Sequence, residues 1–194
     1  AHAGPCVTAG FDVVVPTWNR RALVIETLDT ALAQTVPVRV VVVDNASDDG
    51  TEEAVRARYG ARVEYHRFAE HVPYQVNLTR CLDLLQADLG LILHDDDLLD
   101  PGYAATMVGA FVQRPDTGVV IAGVRPLQSE GSRFRRARIR PPFTWLSRLG
   151  HAADGGTIAL PAGRLAEELL RHLRMCPYWP SLCFRREVLR SVGR

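Results

Sequence analysis

Three consecutive aspartates, Asp95, Asp96 and Asp97, follow His94 at the end of the apolar run "LGLIL". Three neighbouring carboxylates repel one another, and burial raises that cost unless a cation or hydrogen-bond donors compensate. Clustered oxygen ligands suit Mg²⁺ or Mn²⁺, which prefer carboxylates together with phosphate oxygens of a substrate. A divalent ion on a diphosphate also stabilises charge on a leaving phosphate. The triplet therefore predicts a Mn²⁺ or Mg²⁺ site and chemistry that expels a nucleoside diphosphate.

Two other apolar runs end in side chains that suit a nucleotide. Asp44 follows "VRVVVV" and precedes "NASDDGT". It can accept hydrogen bonds from a base or ribose, as acids do in related sheets, or it can simply close a turn with its own backbone. Trp18 follows "FDVVVPT" and can stack on a base or cover the edge of the core. Spacing alone leaves these alternatives open.

Apolar runs alternate with helical patterns, which predicts an α/β fold with a doubly wound, mainly parallel sheet flanked by helices. Strands are predicted at residues 11–16, 38–45, 61–67, 89–94, 117–124 and 182–184. Helices are predicted at residues 20–34, 49–59, 74–86, 100–113 and 165–173 and from Glu187, with Asn19, Asp49 and Asp100 as N-caps. Glu52 completes a capping box with Asp49. Right-handed crossovers bring the carboxyl ends of the strands to one edge, where such sheets bind ligands.

Composition narrows the function classes. The 194 residues carry a net charge of +1, which gives no general indication of nucleic-acid binding. All 23 basic residues are arginines, so a Schiff-base lysine is excluded. The four cysteines, Cys6, Cys81, Cys176 and Cys183, lack metal-ligand spacing and are expected to be free thiols. No apolar run reaches the roughly 20 residues needed to span a bilayer, so a cytoplasmic location is the expectation.

Three segments in register resemble the nucleotide-sugar-binding half of family 2 inverting glycosyltransferases, which have the GT-A fold. They are "VVVPTWNR", "VVVVDNASDDGT" and "NLTRCLDLLQADLGLILHDDDLLDPGY". The resemblance covers about residues 11–124 and resumes at "PSLCFRREVLRSVG". It implies a single GT-A domain, with residues 1–124 as the nucleotide-sugar-binding half and residues 125–194 as an incomplete acceptor-side segment. The implied activity is metal-dependent transfer, with inversion, from a nucleotide-diphosphate sugar to an acceptor hydroxyl.

The resemblance also implies roles for individual residues. It assigns nucleotide binding to Pro16, Thr17, Trp18, Asp44, Asn77 and Asp95. Within the family's Asp-x-Asp-Asp pattern, which the residues 94–97 match from His94 onward, Asp96 matches the main metal-ligating acid and Asp97 flanks it at the metal. His94 stands where the family often has an acid. It either contacts the ribose or the metal, or it is a histidine at a strand end whose hydrogen bonds are made within the protein. Val76 replaces an arginine that often precedes the asparagine matched by Asn77.

The general base is the least determined part of the expected site. Inversion needs a base on the face opposite the leaving group. The family's usual acid follows the "FRREVL" segment, and this sequence ends at Arg194 before such an acid, so C-terminal truncation is expected and Asp154 is a weak substitute. The arginine-rich residues 133–148, with interleaved aromatic residues, suit an anionic acceptor, a peripheral membrane contact or a solvated loop.

Two other function classes compete with a glycosyltransferase. A truncated or degenerate family member would be a nucleotide-sugar-binding module without turnover. A metal-dependent nucleotidyltransferase on a similar sheet usually carries a glycine-rich phosphate loop after the first strand. The segment "VVVPTWNRR" lacks those glycines, which disfavours that class.

Overall fold

The computed structural model describes residues 10–122, 152–153, 157–158 and 182–191. Its strands are β1 Phe11–Thr17, β2 Arg39–Asp44, β3 Glu64–Arg67, β4 Leu89–Ile92, β5 Val119–Ile121, β6 Ala152–Ala153, β7 Thr157–Ile158 and β8 Leu182–Arg185. Its α-helices are α1 Arg21–Leu32, α2 Thr51–Tyr59, α3 Tyr74–Asp83, α4 Tyr103–Gln113 and α5 Arg186–Ser191. A short 3₁₀ helix, Gly60–Arg62, precedes β3, which therefore starts later than predicted.

Six strands form one mixed sheet in the order β3-β2-β1-β4-β8-β5. The first four are parallel, and β8 runs antiparallel to both β4 and β5. This arrangement confirms the predicted α/β fold with a mainly parallel sheet. It also shows that the strand predicted at residues 182–184 enters the sheet between β4 and β5.

The chain divides into two compact units, residues 1–122 with 178–194 and residues 123–177. In the second unit, the structure describes the antiparallel pair β6 and β7. The division at residue 124 between two functional halves stays a prediction.

Apolar side chains cover both faces of the central strands. Val13 and Val15 point into a cluster that includes residues of α1, α2 and α4, whereas Val14 points into a second cluster with Cys81 of α3. Each buried side chain of this size contributes about 1.5–3 kcal/mol relative to exposure. A parallel strand covered on both faces explains why the runs are apolar throughout rather than alternating.

The predicted helix caps are wrong in detail. α1 starts after Arg20, and Asn19 instead adopts a left-handed backbone with φ of 51°. α4 starts after Gly102 rather than after Asp100. The residue before the first turn of α2 is Gly50, with φ of 82°, although Asp49 still bonds to the N–H of Thr51. In each case the helix begins two or three residues after the polar candidate.

Two of the cysteines lie within the described residues. Cys81 and Cys183 are buried free thiols, and burial raises the pKa of each to about 12. Cys6, Cys176, the arginine-rich residues 133–148 and the helix predicted at residues 165–173 lie outside the described residues. Within the part that the structure describes, no helix has the length and apolar character needed to cross a bilayer.

Candidate functional site

Three adjacent strands bring their carboxyl ends to one edge of the sheet. β1 ends at Thr17 and β2 at Asp44, and these two residues are register partners. On the other side of β1, the N–H of Leu93 donates a 2.9 Å hydrogen bond to the carbonyl of Val14. Residues His94–Asp97 follow directly. The sheet thus gathers the three segments singled out from the sequence at the edge where parallel sheets bind ligands.

Asp95 is the inward-facing acid of the triplet, with a relative exposure of 7%. Its Oδ2 accepts a 2.8 Å hydrogen bond from the hydroxyl of Thr17. Its Oδ1 lies 3.2 Å from Nη1 of Arg20. Burial raises the pKa of Asp95, while the Thr17 hydrogen bond and the Arg20 charge act in the opposite direction. The chain itself therefore provides the partners that a buried carboxylate needs.

Arg20 joins two acids of the triplet. The same Nη1 that approaches Asp95 also donates to Oδ2 of Asp96 over 2.9 Å. The negative charge of Asp95 is the largest cause that raises the pKa of Arg20. One guanidinium thus faces two carboxylates, and half of its side chain remains exposed. Part of the positive charge expected beside the triplet comes from this arginine.

The outer acids form a cluster with the preceding histidine. His94, Asp96 and Asp97 each offer one ligand atom, and these atoms lie within 4.8 Å of one another. Carboxylates favour Mg²⁺ and Mn²⁺, and an imidazole nitrogen is a common ligand of transition metals. Divalent ions of this kind bind to few protein carboxylates when substrate phosphates supply further oxygens. The donor set therefore fits a divalent cation.

His94 is held in place by contacts on both sides of its ring. Its Nε2 lies 2.8 Å from the hydroxyl of Tyr74, and its Nδ1 lies 3.8 Å from Oδ2 of Asp97. The Tyr74 ring meets it edge-on. These contacts fit a satisfied histidine at a strand end, and the same position leaves it within the ligand cluster. Tyr74 is the first residue of α3, so this helix contacts the cluster through the His94 ring.

Asp44 is fully buried and bonded by its own chain. Its Oδ1 accepts hydrogen bonds from the backbone N–H of Ser47 over 2.9 Å and from the Ser47 hydroxyl over 2.5 Å. Its Oδ2 accepts a 2.7 Å hydrogen bond from the hydroxyl of Tyr65. Burial, reinforced by this bond, raises the pKa of Tyr65. These contacts support the alternative in which Asp44 closes the loop after β2.

The loops after β1 and β2 are tied to each other. The N–H of Asn19 donates to the Ser47 hydroxyl over 2.9 Å, and the N–H of Asp48 donates to Oδ1 of Asn19 over 2.8 Å. Asn19 and Ala46 have φ values of 51° and 69°. Left-handed backbone at non-glycine residues persists only where the surroundings impose it, and it concentrates at ligand-binding sites. Asp44 therefore fixes, through Ser47, the loop that carries Trp18 and Arg20.

Trp18 presents a large aromatic surface at this edge. Its side chain is 48% exposed, and its ring lies on His71 with centroids 4.0 Å apart and planes inclined by 33°. Asn45 fixes the loop that contains His71 through two hydrogen bonds to the next residue, Val72. The amide of Asn45 accepts from the N–H of Val72 over 2.9 Å and donates to its carbonyl over 2.8 Å. The indole is thus positioned from one side and accessible to a ligand.

Two expected nucleotide-binding residues are less accessible. Pro16 is buried within β1 opposite Val43. Asn77, in the first turn of α3, is 3% exposed, and its Oδ1 has no hydrogen-bond partner among the described residues. A buried amide oxygen without a donor is uncommon. Val76, at the position of the family's arginine, is 48% exposed.

Sequence reasoning missed three residues that organise the site. Arg20 appeared as the start of a helix, although its guanidinium reaches an acid 75 positions later. Ser47 and Tyr65 appeared as ordinary loop and strand residues, although both bond to Asp44. The unexplained charge of the acid triplet was a signal for Arg20. No pattern in the sequence pointed to Tyr65.

Asp154, the weak candidate for the general base, lies outside the described residues. Its expected role stays a prediction.

The chain matches a model of the family described as Glycosyl transferase family 2 over residues 12–192. A curated relative, validoxylamine A glucosyltransferase of Streptomyces hygroscopicus subsp. jinggangensis, is 29% identical over 178 residues. That alignment covers 87% of this chain and 42% of the relative. The chain therefore spans less than half of that protein's length.

Solved structures share the fold. The mannosyltransferase PcManGT of Pyrobaculum calidifontis, in complex with GDP-Man and Mn²⁺, has a TM-score of 0.64 at 22% identity, over 95% of this chain and 47% of that one. TarS of S. aureus, residues 1–349 in complex with UDP-GlcNAc, has a TM-score of 0.57 at 17% identity, over 94% of this chain and 47% of that one. At these identities the likeness shows the fold, which agrees with the sheet described above.

Proposed function

Because this chain belongs to glycosyl transferase family 2, we propose that it binds a nucleotide-diphosphate sugar at the carboxyl edge of its sheet. With Mn²⁺ or Mg²⁺, it transfers the sugar with inversion to an acceptor hydroxyl. The acceptor is a saccharide, a lipid-linked molecule or a small molecule. A peripheral membrane contact through residues 133–148 belongs to the same proposal.

The observation that carries this proposal is the ligand cluster of His94, Asp96 and Asp97 beside the end of β1. Exposed acids are common on protein surfaces, but here two of them share a small volume with an imidazole at a sheet edge. The inner acid, Asp95, is already balanced by Thr17 and Arg20. Asp96 and Asp97 are more exposed than Asp95, so a cation shared with a ligand can approach them.

The donor's nucleoside is assigned to the loops after β1 and β2. Trp18 offers an exposed ring for stacking on the base, and stacking of this kind contributes about 1–3 kcal/mol per base. A base contact by Asp44 requires a hydrogen bond to Ser47 or Tyr65 to open, since the carboxylate is fully buried. Without that opening, Asp44 supports the nucleoside by positioning the Trp18 loop.

The diphosphate is assigned to the acid triplet. A divalent ion there supplies positive charge that stabilises the departing diphosphate. Asp96 and Asp97, with His94, hold that ion, and Asp95 keeps the end of β1 joined to the loop after β4 through Thr17. The general base that accepts the acceptor's proton is left unassigned among the described residues.

Two kinds of relative support a nucleotide-sugar donor. PcManGT was solved with GDP-Man and Mn²⁺, and TarS with UDP-GlcNAc. The curated relative is a glucosyltransferase. The base and the sugar differ among them, so the donor of this chain has to be measured. Thermal stabilisation by UDP, GDP and dTDP with metal present ranks the bases, because a ligand of the native state raises stability with its concentration.

The decisive experiment is calorimetric titration of the best nucleoside diphosphate with and without Mn²⁺. We expect Asp96→Asn to weaken both metal and nucleotide binding by about tenfold or more. Glu53→Gln, which removes one exposed carboxylate of α2, is the matched control and should leave both affinities within about twofold. Unchanged affinities in Asp96→Asn, or nucleotide binding that ignores the metal, would overturn the proposal.

Assays of donor hydrolysis and transfer then decide whether turnover follows binding. Anomeric NMR of the first product reports inversion or retention. Nucleotide binding without turnover identifies a nucleotide-sugar-binding module instead of an enzyme.

A further inference from the structure

Asp96 belongs to two arrangements at once. Its Oδ2 accepts a 2.9 Å hydrogen bond from Nη1 of Arg20. It also contributes a ligand atom to the cluster with His94 and Asp97, where the three ligand atoms lie within 4.8 Å of one another. A cation bound in that cluster would stand beside the positive charge of Arg20. Like charges this close repel each other strongly when partly shielded from water.

We propose that Arg20 is a built-in counter-cation that holds Asp96 in the metal-free protein and competes with the divalent ion for it. The inference rests on the metal-dependent function proposed above and adds a residue that sets the metal affinity. Its basis is geometric, since one guanidinium nitrogen bridges Asp95 and Asp96 at 3.2 Å and 2.9 Å.

Arg20 is placed so that a divalent ion can replace it as the partner of Asp96. Its side chain is 50% exposed, and the Asp96 side chain is 44% exposed, so this pair can separate into water at a modest cost. Asp95 differs, because the side chain is 9% exposed and also receives the hydrogen bond of Thr17. Loss of Arg20 therefore leaves Asp95 with one side-chain donor, the Thr17 hydroxyl, among the described residues. Asp96 is the acid that the two cations share.

The exchange would have two consequences. Without metal, Arg20 reduces the repulsion among three adjacent carboxylates. With metal, part of the binding free energy is spent on separating Arg20 from Asp96. The protein should therefore bind the bare ion more weakly than its acids alone would allow.

The test is titration with Mn²⁺ alone, without nucleotide and at constant ionic strength, followed by the EPR signal of the free ion. We expect Arg20→Gln to bind Mn²⁺ about three- to fivefold more tightly than the wild type, the upper scale of one partly exposed charge pair. Arg20→Lys keeps the positive charge but lacks the planar guanidinium group, so its Mn²⁺ affinity should lie between those of Arg20→Gln and the wild type. Arg21→Gln is the matched control, because it removes the neighbouring exposed charge, and it should bind within about twofold of the wild type.

A second readout is thermal stability. Without metal, Arg20→Gln should melt at a lower temperature than Arg21→Gln, and Mn²⁺ should raise its melting temperature by more. In the wild type, Mg²⁺ should shift the NMR signals of the Arg20 side chain, which triple-resonance assignment of the wild-type protein identifies. This measurement decides the question even if the variant folds poorly.

The outcomes separate this inference from the proposed function. If Asp96→Asn loses Mn²⁺ while Arg20→Gln binds it no more tightly than the wild type, the metal site stands and the role of Arg20 is wrong. If neither the wild type nor Arg20→Gln binds Mn²⁺ alone, the competition by Arg20 is wrong, and the titration with nucleotide and metal still decides the proposed function. The role of Arg20 is also wrong if the protein binds Mg²⁺ and the NMR signals of the Arg20 side chain do not shift.

Discussion

The hydroxyl of Thr17 donates a 2.8 Å hydrogen bond to the carboxylate of Asp95, across 78 positions of the chain. Both residues are buried, with relative exposures of 3% and 7% for the whole residue. The bond joins the end of β1 to the loop after β4 and gives the innermost acid of the triplet a partner that does not depend on a ligand. The neighbouring acids are thereby held at the sheet edge with their side chains more exposed.

Thr17→Val removes that donor while keeping the shape of the side chain. A buried carboxylate that loses a hydrogen bond costs about 1–3 kcal/mol, so we expect the free energy of unfolding to fall by this amount. Urea denaturation measures it. Thr17→Ser keeps the hydroxyl and should recover most of the loss. Thr79→Val, an exposed position on α3, should change stability by about 0.5 kcal/mol or less, and an equal loss in both valine variants would contradict the assignment.

Tyr65→Phe tests the buried contacts of Asp44. The substitution keeps the ring and removes the 2.7 Å hydrogen bond to Oδ2 of Asp44. We expect a loss of about 1–3 kcal/mol in the free energy of unfolding, because the carboxylate has no solvent to replace the donor. Tyr74→Phe also removes a hydroxyl, but at a side chain that is partly exposed to water, and should cost less. A larger loss in Tyr74→Phe would be inconsistent with this account.

The backbone of Gly50 should be intolerant of a side chain. Gly50 and Gly102 both stand directly before a helix, but Gly50 has φ of 82° and Gly102 has φ of −87°. A Cβ at Gly50 would also lie 3.3 Å from Nη1 of Arg21, whereas a Cβ at Gly102 would meet nothing within 4 Å. Left-handed backbone costs a residue with a Cβ about 1–2 kcal/mol. Gly50→Ala should therefore be less stable than Gly102→Ala by about that amount in paired denaturation curves.

The two buried thiols should be protected until the protein unfolds. In a Cys6→Ser/Cys176→Ser background, Cys81 and Cys183 should not react with a thiol reagent at neutral pH, and both should react in urea. Burial raises the pKa of each from 9.0 to about 12, so the unfolded chain releases their protons first as the pH rises. The stabilising contribution is therefore complete below pH 9.0 and is lost as the pH rises towards 12. Rapid reaction of the native protein would disprove their burial.

Trp18→Ala should weaken nucleotide binding more than metal binding. Loss of one stacked base costs about 1–3 kcal/mol, or about 5- to 150-fold in affinity, and Trp18→Phe should retain part of the affinity. Calorimetry with Mn²⁺ held in excess measures the nucleotide affinity separately from the metal affinity. Leu23→Ala, which truncates another exposed apolar side chain, is the control. If Trp18→Ala leaves the nucleotide affinity unchanged, the base does not stack on this ring.

The sequence by itself determined the fold class and the edge of the sheet that carries the site. Valine-rich runs are buried on both faces only in a helix-covered parallel sheet, and polar residues that directly follow such runs must then meet at one edge. That reasoning brought Thr17, Asp44 and the acid triplet to the same place before any coordinates. Local signals were weaker, since α1 and α4 begin after Arg20 and Gly102 rather than after the expected caps Asn19 and Asp100.

Only the tertiary structure decided which charges meet. Arg20 pairs with Asp95 and Asp96, which lie 75 and 76 positions later in the chain. Tyr65 bonds to Asp44, which lies 21 positions earlier. Side-chain contacts over such separations depend on strand order and loop conformation, which leave no periodic trace in the sequence. The position of β8 between β4 and β5 could not be predicted from the sequence either. Strand propensity determines neither the neighbour nor the direction of a strand.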